Sequence, residues 1–176
     1  MLDALARCLG LTPRAYADLE GGGTAKGCVF CRVTPENGFD MVESNDEMIA
    51  FRDRNPGAAQ HLLIIPRRHI STVKDLQPHD IPLLTRMESL GARLLSSFGV
   101  PPEEQRLGYH IPPFSSVHHL HLHALSLPLK SWWRRLKYRP TTRGDSRAGK
   151  RWGWFVTNRD AMGILSEGKR IGITSS

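Results

Sequence analysis

The stretch Ser115-Ser-Val-His-His-Leu-His-Leu-His-Ala-Leu125 places His119, His121 and His123 on alternating positions, separated by leucines. In an extended strand, successive side chains point to opposite faces. Val117, the three alternate histidines and Leu125 then share one face. His118, Leu120, Leu122 and Ala124 share the other, which reads as a mostly apolar core face. The odd-numbered face lines up three imidazoles at intervals of ~7 Å. Histidine is not a strong strand former, and the whole chain holds only eight. Their concentration in one strand points to chemistry rather than to a half-buried strand that happens to be polar.

Working outward, His61-Leu-Leu-Ile-Ile-Pro66 is a short apolar run bounded by turn residues, the pattern of a second strand. Residues 48–53 read as another, closed by the breaker run Asn55-Pro-Gly57. Asp80 is placed to cap a helix from Ile81 to about Phe98, with Pro82 tolerated in its first turn. Leu83, Met87, Leu90, Leu94 and Phe98 recur at three- and four-residue steps and form one core-facing stripe, and Gly99 stops the helix. A turn-rich stretch containing Gly108, Pro112 and Pro113 leads into the histidine strand, and residues 152–157 form a late strand. Strands interrupted by one long helix, with little βαβ alternation, predict an α+β domain with an antiparallel sheet of about five strands.

With 176 residues, 40% apolar and 23% charged, the chain reads as one soluble globular domain. No run approaches the ~18 apolar residues of a membrane span. Residues 1–25 read as a lead-in with a short amphipathic helix and a Gly21–Gly23 joint, and residues 26–176 as the domain. The start of the chain lacks the basic opening and apolar centre of a secretory signal. Asp3, Asp18 and Glu20 argue against a mitochondrial presequence. Three cysteines form no disulfide framework. A cytoplasmic or nuclear location is therefore expected.

The net charge is +7, and residues 130–151 carry nine Lys and Arg against Asp145 alone, so the excess is local. Trp132, Trp133 and Tyr138 are interleaved with these cations. The segment, with a basic loop at about 138–151, reads as a solvated loop whose tryptophans pack on the sheet or on a partner subunit. The alternative is a nucleic-acid-contacting surface, where aromatics stack and cations meet phosphates.

Two chemistries fit the histidine face. Imidazoles at i and i+2 on a strand can grip one zinc, although the strand supplies no carboxylate base for a zinc hydrolase. An unprotonated imidazole is also a capable nucleophile, and neighbouring imidazoles can orient it and bind a phosphoryl group.

His119-Leu-His121-Leu-His123-Ala-Leu125 resembles the signature of the histidine triad superfamily. His61-Leu-Leu-Ile-Ile-Pro-Arg-Arg-His69 is similar to the strand that carries that family's fourth histidine. Ala50-Phe51-Arg52-Asp53 is similar to its nucleoside-contacting stretch. Gly108-Tyr-His-Ile-Pro-Pro-Phe-Ser-Ser116 and the Cys28-Val-Phe-Cys31 start resemble the branch of histidine triad nucleotide-binding proteins numbered three. The resemblance implies the histidine triad fold and a hydrolase of adenosine 5′-phosphoramidate-type substrates.

It implies the following roles. His121 attacks the α-phosphorus and forms a nucleotidyl-histidine, His123 contacts the α-phosphate, and His61 supports the nucleophile and leaving group. Ser116 hydrogen-bonds the phosphate or leaving group. Phe51 packs on the base and Asp53 binds the ribose hydroxyls. Arg54 stands at a usually hydrophobic nucleotide-binding position, and residues 108–115 lack the Asn and Gly-Gln pattern of better-known phosphoramidases. In some relatives a Cys pair joins two histidines around zinc. Here Cys28, Cys31, His69 and His119 would form a structural site, with His119 otherwise an orienting group for catalysis. No organic cofactor is expected, and the family implies a homodimer. Two alternatives are an aprataxin-like deadenylase of 5′-adenylated nucleic acid and a non-catalytic purine-nucleotide-binding scaffold.

Overall fold

The apolar run that reads as a buried strand is the third strand of a sheet, and all six of its residues are buried. The computed structural model describes residues 25–140 and 154–172. In chain order the elements are β1 (Met41–Ser44), β2 (Met48–Arg52), β3 (His61–Pro66), α1 (Ile81–Ser97), β4 (Gln105–His110), β5 (Leu122–Ser126), α2 (Trp132–Lys137), β6 (Phe155–Thr157) and α3 (Asn158–Ser166). The strands form one sheet in the order β1-β2-β3-β5-β4-β6, with every neighbouring pair antiparallel. The sheet thus has six strands rather than about five. The lead-in helix, the Gly21–Gly23 joint and residues 141–151 of the basic loop lie outside the described residues.

Leu62, Ile64, Leu122 and Ala124 face α1, whose Leu83, Met87, Leu90 and Leu94 close the main core. Each such leucine contributes roughly 1.5–3 kcal/mol by leaving water. Gly99 follows the helix at φ +77°, a conformation that favours glycine. Asp80 occupies the N-cap position without a side-chain bond into α1. Its carboxylate instead accepts from the Gln77 backbone N–H at 2.8 Å and pairs with Arg68, closing the turn before the helix.

The opposite face carries the chemistry. Phe51, Leu63 and His123 lie side by side across β2, β3 and β5, with Gly108 next in β4. Directly opposed residues of an antiparallel pair share a face. Two smaller apolar clusters flank this row. One gathers Phe30, Phe39, Phe51 and Leu63, and the other gathers Ala58, Leu125, Tyr138 and Phe155.

Four local readings change. Gly108 belongs to β4, so the turn-rich stretch begins only after His110. The ladder of the histidine strand starts at Leu122, because Leu120 donates its N–H to the Ile70 carbonyl at 2.6 Å rather than to a strand partner. The odd–even alternation persists: Leu120 joins the core while His119 and His121 are buried apart from it. The late strand begins at Phe155 and runs directly into α3, whose N-cap Thr157 accepts from the Asp160 N–H. Trp132 and Trp133 do not pack on the sheet. They are 61% and 63% exposed and stack on each other at 3.5 Å.

Candidate active site

A cleft of about 720 Å³ opens on the histidine face. Phe30, Phe39, Phe51 and Leu63 form its apolar wall, and Asp53, Ser116, His110, His121, His123 and Lys137 line the rest. The aromatic wall is mutually braced, with Phe30 and Phe39 edge-on to Phe51 at 5.3 and 5.1 Å between centroids.

The hydrogen bonds fix which nitrogen of each imidazole carries the proton, because a carbonyl only accepts and a backbone N–H only donates. His121 Nδ1 lies 2.7 Å from the His119 carbonyl and must donate to it, so Nε2 keeps its lone pair. His61 Nδ1 accepts from the Gly57 N–H at 3.1 Å, which puts its proton on Nε2. That Nε2–H meets His123 Nδ1 at 2.9 Å, leaving His123 protonated on Nε2. Asp53 Oδ2 lies 3.4 Å from the same His61 nitrogen, and Asp53 Oδ1 accepts from the Asn55 N–H. Gly57 is required beside this chain, since a Cβ there would stand 2.8 Å from the Tyr138 ring.

Burial keeps these imidazoles neutral. It pushes His61 down to about 4 and His123 well below the usual histidine range, and lowers His121 as well. Ser116 is exposed at the rim. Arg54 turns away from the histidines, donating to the Gly38 carbonyl at 3.1 Å with its guanidinium over Phe39. It therefore braces the aromatic wall. His118 is exposed.

Beside the cleft, Cys28, Cys31, His69 and His119 offer four ligand atoms within 4.8 Å of one another. The Cys28 and Cys31 sulfurs lie 3.5 and 3.6 Å from His119 Nδ1, and Cys31 Sγ lies 3.3 Å from His69 Nδ1. A tetrahedral zinc with ordinary Zn–S and Zn–N bonds sets S···N at about 3.5 Å. His119 Nε2 donates to the Pro66 carbonyl at 2.9 Å, so the free lone pair is on the nitrogen facing the sulfurs. A second grouping, Asp53, His61 and His123, also falls within 4.8 Å, and its ring-to-ring hydrogen bond already accounts for the approach.

Three residues of the site are not assigned to it by the sequence reading. Lys137 lines the cleft. Tyr138 is buried against His61, His110 and His123 with centroids 5.5, 5.0 and 5.4 Å away, and burial pushes its hydroxyl up to about 12. His110 packs on His123 at 4.7 Å, and neither of its ring nitrogens has a hydrogen-bond partner among the described residues. The signal for His110 was its place two residues beyond Gly108, on the same strand face. Lys137 and Tyr138 had no signal beyond lying in a basic run.

His110 carries a prediction. An unpartnered buried polar group costs ~1–3 kcal/mol. Burial also lowers this imidazole to about 3. The unfolded chain then takes up a proton near pH ~6.5 while the folded chain does not, so stability falls as the pH drops from there towards 3. By pH 5 the loss is on the order of 2 kcal/mol. His110→Phe is expected to raise the melting temperature at pH 7.5 and to widen that advantage at pH 5. Equal pH slopes for the two proteins in thermal melts would refute the assignment.

Comparison with known proteins follows the same lines. Residues 27–138 match the family described as "Scavenger mRNA decapping enzyme C-term binding". The chain is 39% identical over 120 residues to the bifunctional adenosine 5′-phosphosulfate phosphorylase/adenylylsulfatase HINT4 of Arabidopsis thaliana, covering 66% of this chain and 82% of that protein. It is 30% identical over 148 residues to the adenosine 5′-monophosphoramidase HINT3 of Danio rerio, covering 82% and 85%. Among solved structures, a HIT family hydrolase from Legionella pneumophila superposes with a TM-score of 0.55 at 31% identity, over 60% of this chain and 97% of that one.

Proposed function

The chain belongs to the histidine triad superfamily, and from that premise we propose that it is a nucleotide hydrolase cleaving AMP from its leaving group through a nucleotidyl-His121 intermediate. One observation carries the reading: His121 presents an unprotonated Nε2, held in that form by the His119 carbonyl, in a cleft walled by aromatic rings. The two curated relatives named above share an adenosine 5′-phosphoryl group in their names and differ in what is attached to it.

In the proposed reaction the base packs on Phe51 and the ribose hydroxyls meet Asp53. The His121 Nε2 lone pair attacks the α-phosphorus in line. The bond from phosphorus to the leaving atom breaks, its electron pair stays with the leaving group, and an amine leaving group takes one proton from solvent. The adduct pairs an anionic phosphoryl group with an imidazolium whose Nδ1–H stays on the His119 carbonyl. Water then attacks phosphorus, the P–Nε2 pair returns to His121, and one proton goes back to solvent. His123 donates its Nε2–H to a phosphoryl oxygen throughout, and the Gly57–His61–His123 chain holds that tautomer. Ser116, at the rim, is placed to donate to the phosphate or the leaving group. The Cys28–Cys31–His69–His119 set would hold zinc as a structural clamp, and the fit of its S···N distances supports this.

A second reading is favoured by the stacked Trp132–Trp133 pair on the basic helix α2, which suits a nucleic-acid leaving group. A panel of adenylyl substrates separates the two. AMP release is expected from adenosine 5′-phosphoramidate and from an adenylyl sulfate, with 5′-adenylated DNA slower. Turnover of adenylated DNA alone would favour the second reading. AMP release from none of them would overturn both.

A further inference from the structure

We propose that Lys137 is the cation that holds the α-phosphoryl oxygens of the bound nucleotide against the histidine row. The inference rests on the nucleotide reading of the cleft and names a residue that reading does not use. Lys137 ends α2 and lines the cleft beside His110 and His123, and the backbone that carries it is anchored on both sides. On one side, the Ser131 hydroxyl caps α2 by accepting from the Arg134 N–H. On the other, Tyr138 is buried under His61, and its carbonyl accepts from Arg106 Nη1 at 3.2 Å.

The other cations near the cleft are already engaged. Arg52 donates to Gln60 Oε1 at 2.9 Å and lies 3.6 Å from Asp40. Arg54 donates to the Gly38 carbonyl, and Arg134 to the Asn55 side chain. Among the described residues Lys137 has no ion pair. Its ammonium lies 5.4 Å from the Tyr138 ring centroid, and Asp53 is the acid that faces it.

The site needs such a charge. An α-phosphoryl group is anionic before attack, and its equatorial oxygens remain so in the transition state. His61 and His110, buried and lowered to about 4 and about 3, supply dipoles but no positive charge near neutral pH. An ammonium at the edge of a cleft with apolar walls attracts phosphate more strongly than one in bulk water. The lysine is thus the group matched to the phosphate, as the aromatic wall is to the base.

The test compares AMP with adenosine by titration calorimetry on wild type, Lys137→Met and Lys137→Arg, with thermal melts to confirm folding. Lys137→Met is expected to weaken AMP binding by ~10-fold or more while leaving adenosine unchanged, and Lys137→Arg to recover most of the loss. For turnover, kcat/KM is expected to fall by a similar factor for every leaving group. An unchanged AMP-to-adenosine ratio in Lys137→Met overturns the proposal. So does a defect confined to substrates with an anionic leaving group, which would place the lysine at that group instead. If wild type binds AMP through Lys137 yet hydrolyses no adenylyl substrate, the hydrolase reading fails and the lysine assignment stands.

Discussion

His121→Ala is expected to release AMP from adenosine 5′-phosphoramidate on the order of 10³-fold or more slowly than wild type, while AMP affinity stays within a few-fold. The asymmetry follows from the architecture. In the proposed complex the base and ribose contacts would come from β2 and the segment after it, through Phe51 and Asp53, and the phosphate charge would be met by Lys137 from α2. None of these depends on the His121 ring. What the variant loses is the lone pair at Nε2, and no neighbour can replace it. His123 carries its proton on the nitrogen left free by His61, and His119 spends Nε2 on the Pro66 carbonyl. Rapid acid or base quenching of wild type with substrate should trap an AMP adduct by mass spectrometry, and the variant should show none. Substantial turnover by His121→Ala would end the covalent scheme.

The parts of this site that follow a short-range period were legible in the chain. Alternation put Leu120, Leu122 and Ala124 in the core and the three histidines on the other face, and the three-four spacing of α1 marked its buried stripe. What escaped depends on partners distant in sequence. Nothing near Leu120 announces that its N–H will bond Ile70 and delay the start of β5 until Leu122. The segment Met41–Ser44 is short and only partly buried, so β1 has little alternation to detect. His110 was hidden by the prolines after it, which made Gly108 look like the start of a turn rather than a strand residue opposite His123. Lys137 looked like one of nine interchangeable cations, and only the burial of Tyr138 beside it sets it apart.

The largest effect on stability is expected at the Cys–His cluster. Untagged protein is expected to carry about one zinc per chain by elemental analysis, and Cys31→Ser to carry little. The ligands sit where a clamp matters. Cys28 is the N-cap of the short 3-10 turn Val29–Arg32 and Cys31 lies within it, beside Phe30, which is buried against Phe51 and His121. His69 follows β3, and His119 leads into β5. Without a metal the cluster is a set of weak S···N contacts around a Cys31 thiol that burial raises. With zinc the thiolates would be formed and the three segments tied together. Structural zinc contributes ~10–16 kcal/mol in peptides that have no other core. In a domain with its own core, a loss on the order of 3–5 kcal/mol is the reasonable scale, lowering the melting temperature by ~10 °C or more. Activity should fall with it, because His119 would offer its ring to the metal while its carbonyl accepts from His121 Nδ1. Chelation followed by zinc addition should therefore lower and restore kcat more than AMP affinity. Acid should act in the same direction as chelation, since protons compete for the thiolates and imidazoles as the pH falls. A metal-free wild type that melts with Cys31→Ser would eliminate the clamp.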